Sequence, residues 1–266
     1  VSAVPAMPVA ADAATPSRDI VLRTEKLTKV FGGFKAVDDV SFAVERGTIH
    51  AVIGPNGAGK TTLFNLLTKF HLPTTGRIFY GQDEITTMPA DETARQGIVR
   101  SFQIAAVFPQ MTAYENVRLA LQQRMGNWYR FWSPERSLAG LRGRAEELLA
   151  AVGLSDFCET YASDLSYGRK RALEIATTLA MEPRILLLDE PMAGLGHEDI
   201  DRVAALIREV AIGRTVLLVE HNLRVVADLS DTITVMTRGR VLAEGSYAEL
   251  AANPAVVEAY MGTGHG

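Results

Sequence analysis

Apolar positions change their spacing several times along the chain, and each change marks an element. Ile20, Leu22 and Leu27, then Val40, Phe42 and Val44, alternate as strands of a half-buried sheet do, with Gly32-Gly33 as the turn between them. Ile49 to Ile53 is a short continuous apolar run and predicts a buried strand. A Gly-rich turn follows, then a helix from about Lys60 to Phe70. Between Ile104 and Leu165 the period turns helical, with one helix over Tyr114 to Gln122 and another over Leu141 to Val152. Between those helices, Trp128, Tyr129, Phe131 and Trp132 read either as a hydrophobic anchor for a loop or as a contact surface for a partner.

From Arg171 onward helix and strand alternate. A helix to about Ala180 precedes a strand at 185–189, a helix at 199–212 and a strand at 215–220. A short helix to Ala227 and a strand at 232–236 follow, then a hairpin at Arg238-Gly239 and short helices after Ser246 and Asn253. This order predicts an α/β core with a mostly parallel sheet. Residues 1–19 are rich in Ala, Pro and Val and show no period. Without a basic segment, and with Pro5 and Pro8 breaking the apolar run, they predict a disordered extension rather than a signal peptide. Residues 262–266 form a short tail.

Composition narrows the function classes. The hydrophobic fraction of 47% and charged fraction of 22% are those of a globular chain. A single cysteine, Cys158, rules out a disulfide within the chain and fits a reducing compartment. The net charge of -4 argues against a dedicated nucleic-acid binder. No apolar stretch approaches the ~18 residues that a membrane span needs.

Three stretches carry chemistry. Gly54-Pro55-Asn56-Gly57-Ala58-Gly59-Lys60-Thr61, with Thr62 behind it, fits G-x-x-x-x-G-K-[ST] between a predicted strand and a predicted helix. Glycines let the backbone wrap a triphosphate, so that N–H groups and the helix start face the anion. Lys60 supplies a mobile charge for the β- and γ-phosphates, and the Thr61 hydroxyl is a ligand for Mg²⁺. Ile185 to Leu188 is a strand ending in Asp189-Glu190, at the sheet edge where open α/β folds bind ligands. Asp189 is placed to hold the Mg²⁺ shell through water, and Glu190 to polarise an attacking water. A second buried run, Val216 to Val219, ends in Glu220-His221, which puts His221 where the γ-phosphate would lie. The other histidines show no metal-ligand spacing.

Together these stretches resemble the ATP-binding cassette ATPases, the ATPase subunits of ABC transporters. Leu165-Ser166-Tyr167-Gly168-Arg169 stands where that family carries its signature, commonly L-S-G-G-Q, upstream of the Asp189 strand. Ser166 is a good cap for a helix starting at Tyr167, and with Gly168 it makes that helix start an anion site. Ser101-Phe102-Gln103 resembles the glutamine loop, Glu220-His221 the switch histidine, and Phe31 the aromatic that stacks on adenine. The resemblance covers nearly all of residues 20–261. It implies a P-loop NTPase fold: a mostly parallel core sheet, an antiparallel β subdomain and a helical subdomain inserted at about 104–165. It also implies that Gln103 reaches Mg²⁺ or the attacking water. ATP would lie between one subunit and the signature of a second, in a head-to-tail dimer. Integral membrane permease subunits would dock near Val107, Phe108 and Met111, residues that core packing would account for equally well. Such a protein sits peripherally on the cytoplasmic face of the plasma membrane and meets a periplasmic solute-binding protein only indirectly.

Three positions depart from the family pattern: Tyr167 replaces the usual first signature glycine, Arg169 its glutamine, and Gly196 an aspartate found in many relatives. Ala243-Glu244-Gly245 and the ending Asn253 to Gly262 resemble branched-chain amino acid importers, and most closely the larger of their two ATPase subunits. Phe31-Gly32-Gly33-Phe34-Lys35-Ala36 and Tyr167-Gly168 fit the same branch. Urea and amides remain open as solutes, as does an exporter. A soluble cassette ATPase is disfavoured: for one acting on DNA, 104–165 is too short for a coiled-coil insertion and lacks heptads, and for one acting on ribosomes, such members usually carry two cassettes where this sequence shows one, and the acidic balance counts against it.

Overall fold

The structure, a computed structural model, describes residues 19–101, 107–124 and 135–261. Gln103 and the aromatic cluster Trp128 to Trp132 lie outside the described residues, as does the N-terminal extension up to residue 18. Asp19 is described, and its carboxylate accepts a hydrogen bond from Arg46 Nε at 2.7 Å.

Two sheets organise the chain. The first is antiparallel, in the order β2-β1-β4-β5, from β1 (Ile20–Phe31), β2 (Phe34–Glu45), β4 (Thr75–Tyr80) and β5 (Asp83–Glu84). β1 and β2 fold back on each other across Gly32-Gly33, both at positive φ, as the turn reading expects. The second sheet has the order β10-β9-β3-β8-β7-β6. It contains β3 (Ile49–Ile53), β6 (Ile98–Ser101), β7 (Ile185–Asp189), β8 (Thr215–Val219), β9 (Thr232–Thr237) and β10 (Arg240–Gly245). All its pairings are parallel except that of β9 with β10. The α/β core with a mostly parallel sheet is therefore as predicted, with an antiparallel sheet beside it.

Helix α1 (Lys60–Leu67) lies between the two sheets. Leu63, Phe64, Leu66 and Leu67 are fully buried and share one core with Leu22, Leu27 and Val40 of the antiparallel sheet and Leu187, Leu217 and Val219 of the core sheet. Each such side chain contributes roughly 2 kcal/mol of apolar burial. Successive strand residues face opposite ways, so Leu186, Leu188, Val216 and Leu218 face the other side. There they pack with α5 (Tyr167–Leu179) and α6 (His197–Val210). The same cluster takes in Val117 and Leu121 of α3 (Ala113–Arg124), and Leu148 and Leu149 of α4 (Glu135–Ala151), so the helical segment shares a core with the sheet. A third cluster joins β3 and β9 to α7 (Leu223–Leu229), α8 (Tyr247–Ala251) and α9 (Pro254–Met261).

Boundaries moved where local chemistry intervened. α1 stops at Leu67 rather than near Phe70, and Lys69 adopts a left-handed φ of 63°. α6 begins at His197, with Glu198 and Asp199 in its first turn, where carboxylates favour a helix start. The segment between α1 and β7 adds β4, β5, α2 (Ala90–Arg95) and β6, elements too short to show a period.

One buried histidine gives the fold a pH dependence. His50 on β3 is 1% exposed and shares a 2.8 Å hydrogen bond with Thr234 Oγ1. Burial lowers its pKa to about 4. Below the ordinary value near 6.5 the unfolded chain takes up a proton that the folded chain refuses. The stabilisation is thus complete above ~6.5 and is lost as pH falls toward 4, by about 3 kcal/mol at most. Thermal unfolding of His50→Gln should therefore change less between pH 7.5 and about 4.5 than that of the parent protein. Parallel pH profiles would contradict this.

Candidate nucleotide-binding site

The parallel register sets the site. Val52 pairs with Val219, and Asp189 pairs with Val219 on the other side, so β3, β7 and β8 end level with one another. Three loops leave that edge together: the phosphate loop, Glu190 and its turn, and Glu220-His221. Open parallel sheets bind ligands at this carboxyl edge.

The phosphate loop needs its glycines. Gly54, Gly57 and Gly59 all have positive φ. A Cβ on Gly54 would stand 2.2 Å from the Met236 carbonyl oxygen, and one on Gly59 would stand 2.3 Å from that of Ala36. Lys60 is 6% exposed, and its Nζ donates to the carbonyls of Gly54 at 2.7 Å and Pro55 at 3.1 Å. Its ammonium therefore spans the loop that precedes it. Burial pushes this lysine below its usual range, and the charges of Glu190 and Asp189 oppose the shift. A cavity of about 270 Å³ opens here, lined by Phe34, Ala36, residues 56–62 and Glu190. Asn56, Gly57, Ala58, Gly59, Lys60, Thr61 and Thr62 thus meet Glu190 in one space, whereas Gly54 and Pro55 lie behind it as acceptors for Lys60.

Asp189 ends β7 next to Glu190 and is 1% exposed. One carboxylate oxygen, Oδ2, accepts from Arg100 Nη2, and the other, Oδ1, is buried with no hydrogen-bond partner. Burial raises its pKa, and Arg100 works against that rise. An unsatisfied buried carboxylate oxygen at this edge, with the Thr61 hydroxyl in the adjoining cavity, is a donor set that suits a hard divalent cation. Glu190 has a left-handed φ of 48°, and its N–H donates to Val219 O at 2.9 Å.

Other expected residues stand apart from the cavity. His221 is 61% exposed, with Nδ1 3.9 Å from Glu220. Phe31 is 41% exposed and meets His71 edge-on at 5.3 Å, while Phe34 lines the cavity. Ser166 caps α5 by accepting from the Arg169 N–H at 3.5 Å, as expected. Gly168 is packed so tightly on α6 that a Cβ would stand 2.6 Å from the Asp199 carboxylate. The departures at 167 and 169 have local partners. The Tyr167 hydroxyl lies 3.3 Å from where a Cβ on Gly194 would stand, and the Arg169 guanidinium lies 3.9 Å over the Phe157 ring.

Three charged groups, the buried Glu220 and Arg171 and the mostly buried Arg100, organise this edge without a role assigned from sequence. Arg100 joins β6 to Asp189 and to Asn65 of α1. Glu220, fully buried, accepts from the backbone N–H groups of Met192, His221 and Asn222 at 2.9, 2.9 and 3.1 Å, and so ties the Glu190 turn to the His221 loop. Arg171 reaches the Glu190 backbone from α5. The available signal was a charge inside an apolar run, as in Ile98-Val99-Arg100, or on an apolar helix face, as in Arg171-Ala172-Leu173-Glu174-Ile175.

Comparison with known proteins agrees with this geometry. A family model described as ABC transporter matches residues 37–193, and one described as branched-chain amino acid ATP-binding cassette transporter matches residues 240–266. The chain is 41% identical over 249 residues to the high-affinity branched-chain amino acid transport ATP-binding protein BraF of Pseudomonas aeruginosa, covering 91% of this chain and 98% of that protein. It is 37% identical to LivG of Escherichia coli, with the same coverage. A crystal structure of the ADP conformation of an ATP-binding cassette of an ABC transporter superposes with a TM-score of 0.82 at 32% identity, covering 91% of this chain and 99% of that one. A dimeric post-hydrolysis cassette bound to ADP and Pi superposes with a TM-score of 0.71 at 26% identity, covering 85% of this chain and 98% of that one. With the phosphate loop, the acidic strand end and the carboxyl-terminal match on one fold, the chain belongs to the ATP-binding proteins of ABC transporters of the branched-chain amino acid type, like LivG and BraF.

Proposed function

We propose that this ATPase hydrolyses ATP at the cavity between the phosphate loop and Glu190, and that the hydrolysis drives import of branched-chain amino acids. The observation that carries the catalytic part is the meeting of Lys60, Thr61 and Glu190 in one cavity, with the buried Asp189 next to Glu190 in the chain. The N–H groups of residues 56–62 and the start of α1 receive the phosphates. Lys60 supplies charge to the β- and γ-phosphates and, on doing so, relaxes its hold on the Gly54 and Pro55 carbonyls. Glu190 takes the proton of the attacking water, and His221 orients that water and the γ-phosphate.

Thr61, Asp189 and Gln103 would hold Mg²⁺, which supplies charge neutralisation at the phosphate oxygens when bound. Phe34, which lines the cavity and is open to solvent, offers an apolar ring for the base, whereas Phe31, expected in that role, stands apart from the cavity.

The signature residues Ser166 and Gly168 serve a second cassette. They lie on α5 outside the chain's own cavity, which is where a head-to-tail partner needs them. Such a pair is glued by ATP and released on hydrolysis, because the γ-phosphate contacts distinguish the closed from the open state. Among the described residues no helix is long and apolar enough to cross a membrane. The likeness to the transport ATP-binding proteins BraF and LivG favours a solute path through integral membrane permease subunits, with a periplasmic binding protein beyond them and this chain peripheral on the cytoplasmic face. Of the residues expected to dock there, Phe108 is exposed and available to such a partner and Met111 is half-buried, whereas Val107 is buried in the core. Branched-chain amino acids are the solute favoured by the likeness to BraF and LivG. Copurification from native membranes should recover permease subunits; recovery of ribosomes instead would overturn the transport role.

Two substitutions test the chemistry. Lys60→Ala should remove ATP turnover and weaken nucleotide binding at least about tenfold, read by phosphate release and by titration with a fluorescent nucleotide. Full activity in that variant would contradict the site. Glu190→Gln should keep nucleotide binding and lose about 10²–10⁴ in turnover, trapping the ATP-bound pair in the assembled complex. Parental turnover would remove Glu190 from the water-activating role.

A further inference from the structure

Arg171 is 7% exposed, in the second turn of α5, and each of its three guanidinium nitrogens donates a hydrogen bond. Nη2 donates to the Glu190 carbonyl at 2.8 Å and Nε to the Pro191 carbonyl at 3.0 Å, while Nη1 donates to the Glu174 carboxylate. None of these contacts reaches the cavity side of Glu190. They act on its backbone instead.

That backbone needs holding. A left-handed φ of 48° at a residue other than glycine costs on the order of 1–3 kcal/mol and persists only where its surroundings impose it. The Glu190 N–H is fixed by Val219 O, and the Met192 N–H by Glu220. Pro191 has no N–H to contribute. What remains is the Glu190 carbonyl; with the peptide planes on both sides of its Cα held, the direction of the Cα–Cβ bond is held as well. Arg171 determines that direction with two adjacent donors on two successive carbonyls, a fork that lysine cannot reproduce. Glu174, itself buried, supplies the countercharge that lets a guanidinium stand in the interior.

We propose that Arg171, neutralised by Glu174, is a positioning residue for ATP hydrolysis: it fixes the Glu190 backbone so that the carboxylate faces the cavity. Ser166 caps the same helix, so a shift of the signature end is felt at Glu190 through one rigid element. The proposal rests on Glu190 being the water-activating group.

The test uses the complex purified with its partner subunits, carrying Arg171→Lys, Arg171→Ala or Glu174→Gln. Each should lower kcat about 10–100-fold, with KM for ATP and nucleotide affinity within about twofold of the parent. Guanidinium ion at millimolar concentration should restore part of the turnover of Arg171→Ala, a response that loss of general packing would not give. In a Glu190→Gln background, Arg171→Lys should cause no further loss, because the two act as one unit. If Arg171→Ala fails to fold, Arg171→Lys and Glu174→Gln decide, since both keep most of the buried volume.

Parental kcat in those folded variants overturns the proposal. So does a raised KM with unchanged kcat, or an undiminished Arg171→Lys effect in the Glu190→Gln background. Parental turnover by Glu190→Gln alone would instead overturn the water-activating role on which the proposal rests. Intact Arg171 variants beside an inactive Glu190→Gln would overturn the proposal and leave that role standing.

Discussion

A buried ammonium governs this site. Lys60 has been drawn out of water at the first turn of α1, and its charge is met by two carbonyls of the loop it terminates. Holding a desolvated cation against neutral carbonyls is a provisional arrangement, because phosphate oxygens bear full negative charge and bind it more strongly. The loop can offer this only because Gly54 and Gly59 bring the backbone within contact of the Met236 and Ala36 carbonyls, where a side chain has no room. On the proposed reading, substrate would enter a cradle whose cation is already in place, rather than one that must be assembled.

Around that cradle, placement follows from sheet register. Parallel pairing of β3, β7 and β8 makes their carboxyl ends coincide, so the phosphate loop, the acidic pair and the His221 loop emerge side by side. Register alone would leave those loops free to differ. Buried charges remove the freedom: Arg100 binds Asp189, Glu220 joins the Glu190 turn to the His221 loop, and Arg171 carries the Glu190 carbonyl. Each is costly to bury and would be more costly with its partner gone. The polar network therefore specifies one arrangement of the site, whereas the apolar clusters on both sheet faces supply most of the stability.

The fold and the phosphate loop were legible in sequence because their signals are contiguous. A strand, a six-residue loop and a helix follow one another from Ile49 to Leu67, and helix and strand alternate from Tyr167 to Thr237. The Ser166 cap was legible for the same reason. Contacts across long separations were not. Arg100 meets Asp189 across 89 positions, Glu220 meets Met192 across 28, and Arg171 meets Glu190 across 19. Each of these residues looks ordinary within its own segment. Tyr167 also appeared as a bare departure from the family pattern until its ring was seen against Gly194. The short elements between α1 and β7 escaped because two to six residues cannot display a period.

The central claim is that the amide-lined loop and Lys60 grip the phosphates of the nucleotide. Calorimetric titration of the full-length chain with adenosine, AMP, ADP and ATP tests it most directly. Affinity should be negligible for adenosine and AMP and should rise steeply once a β-phosphate is present. Equal binding of AMP and ATP would mean that recognition lies with the base, and would contradict the account.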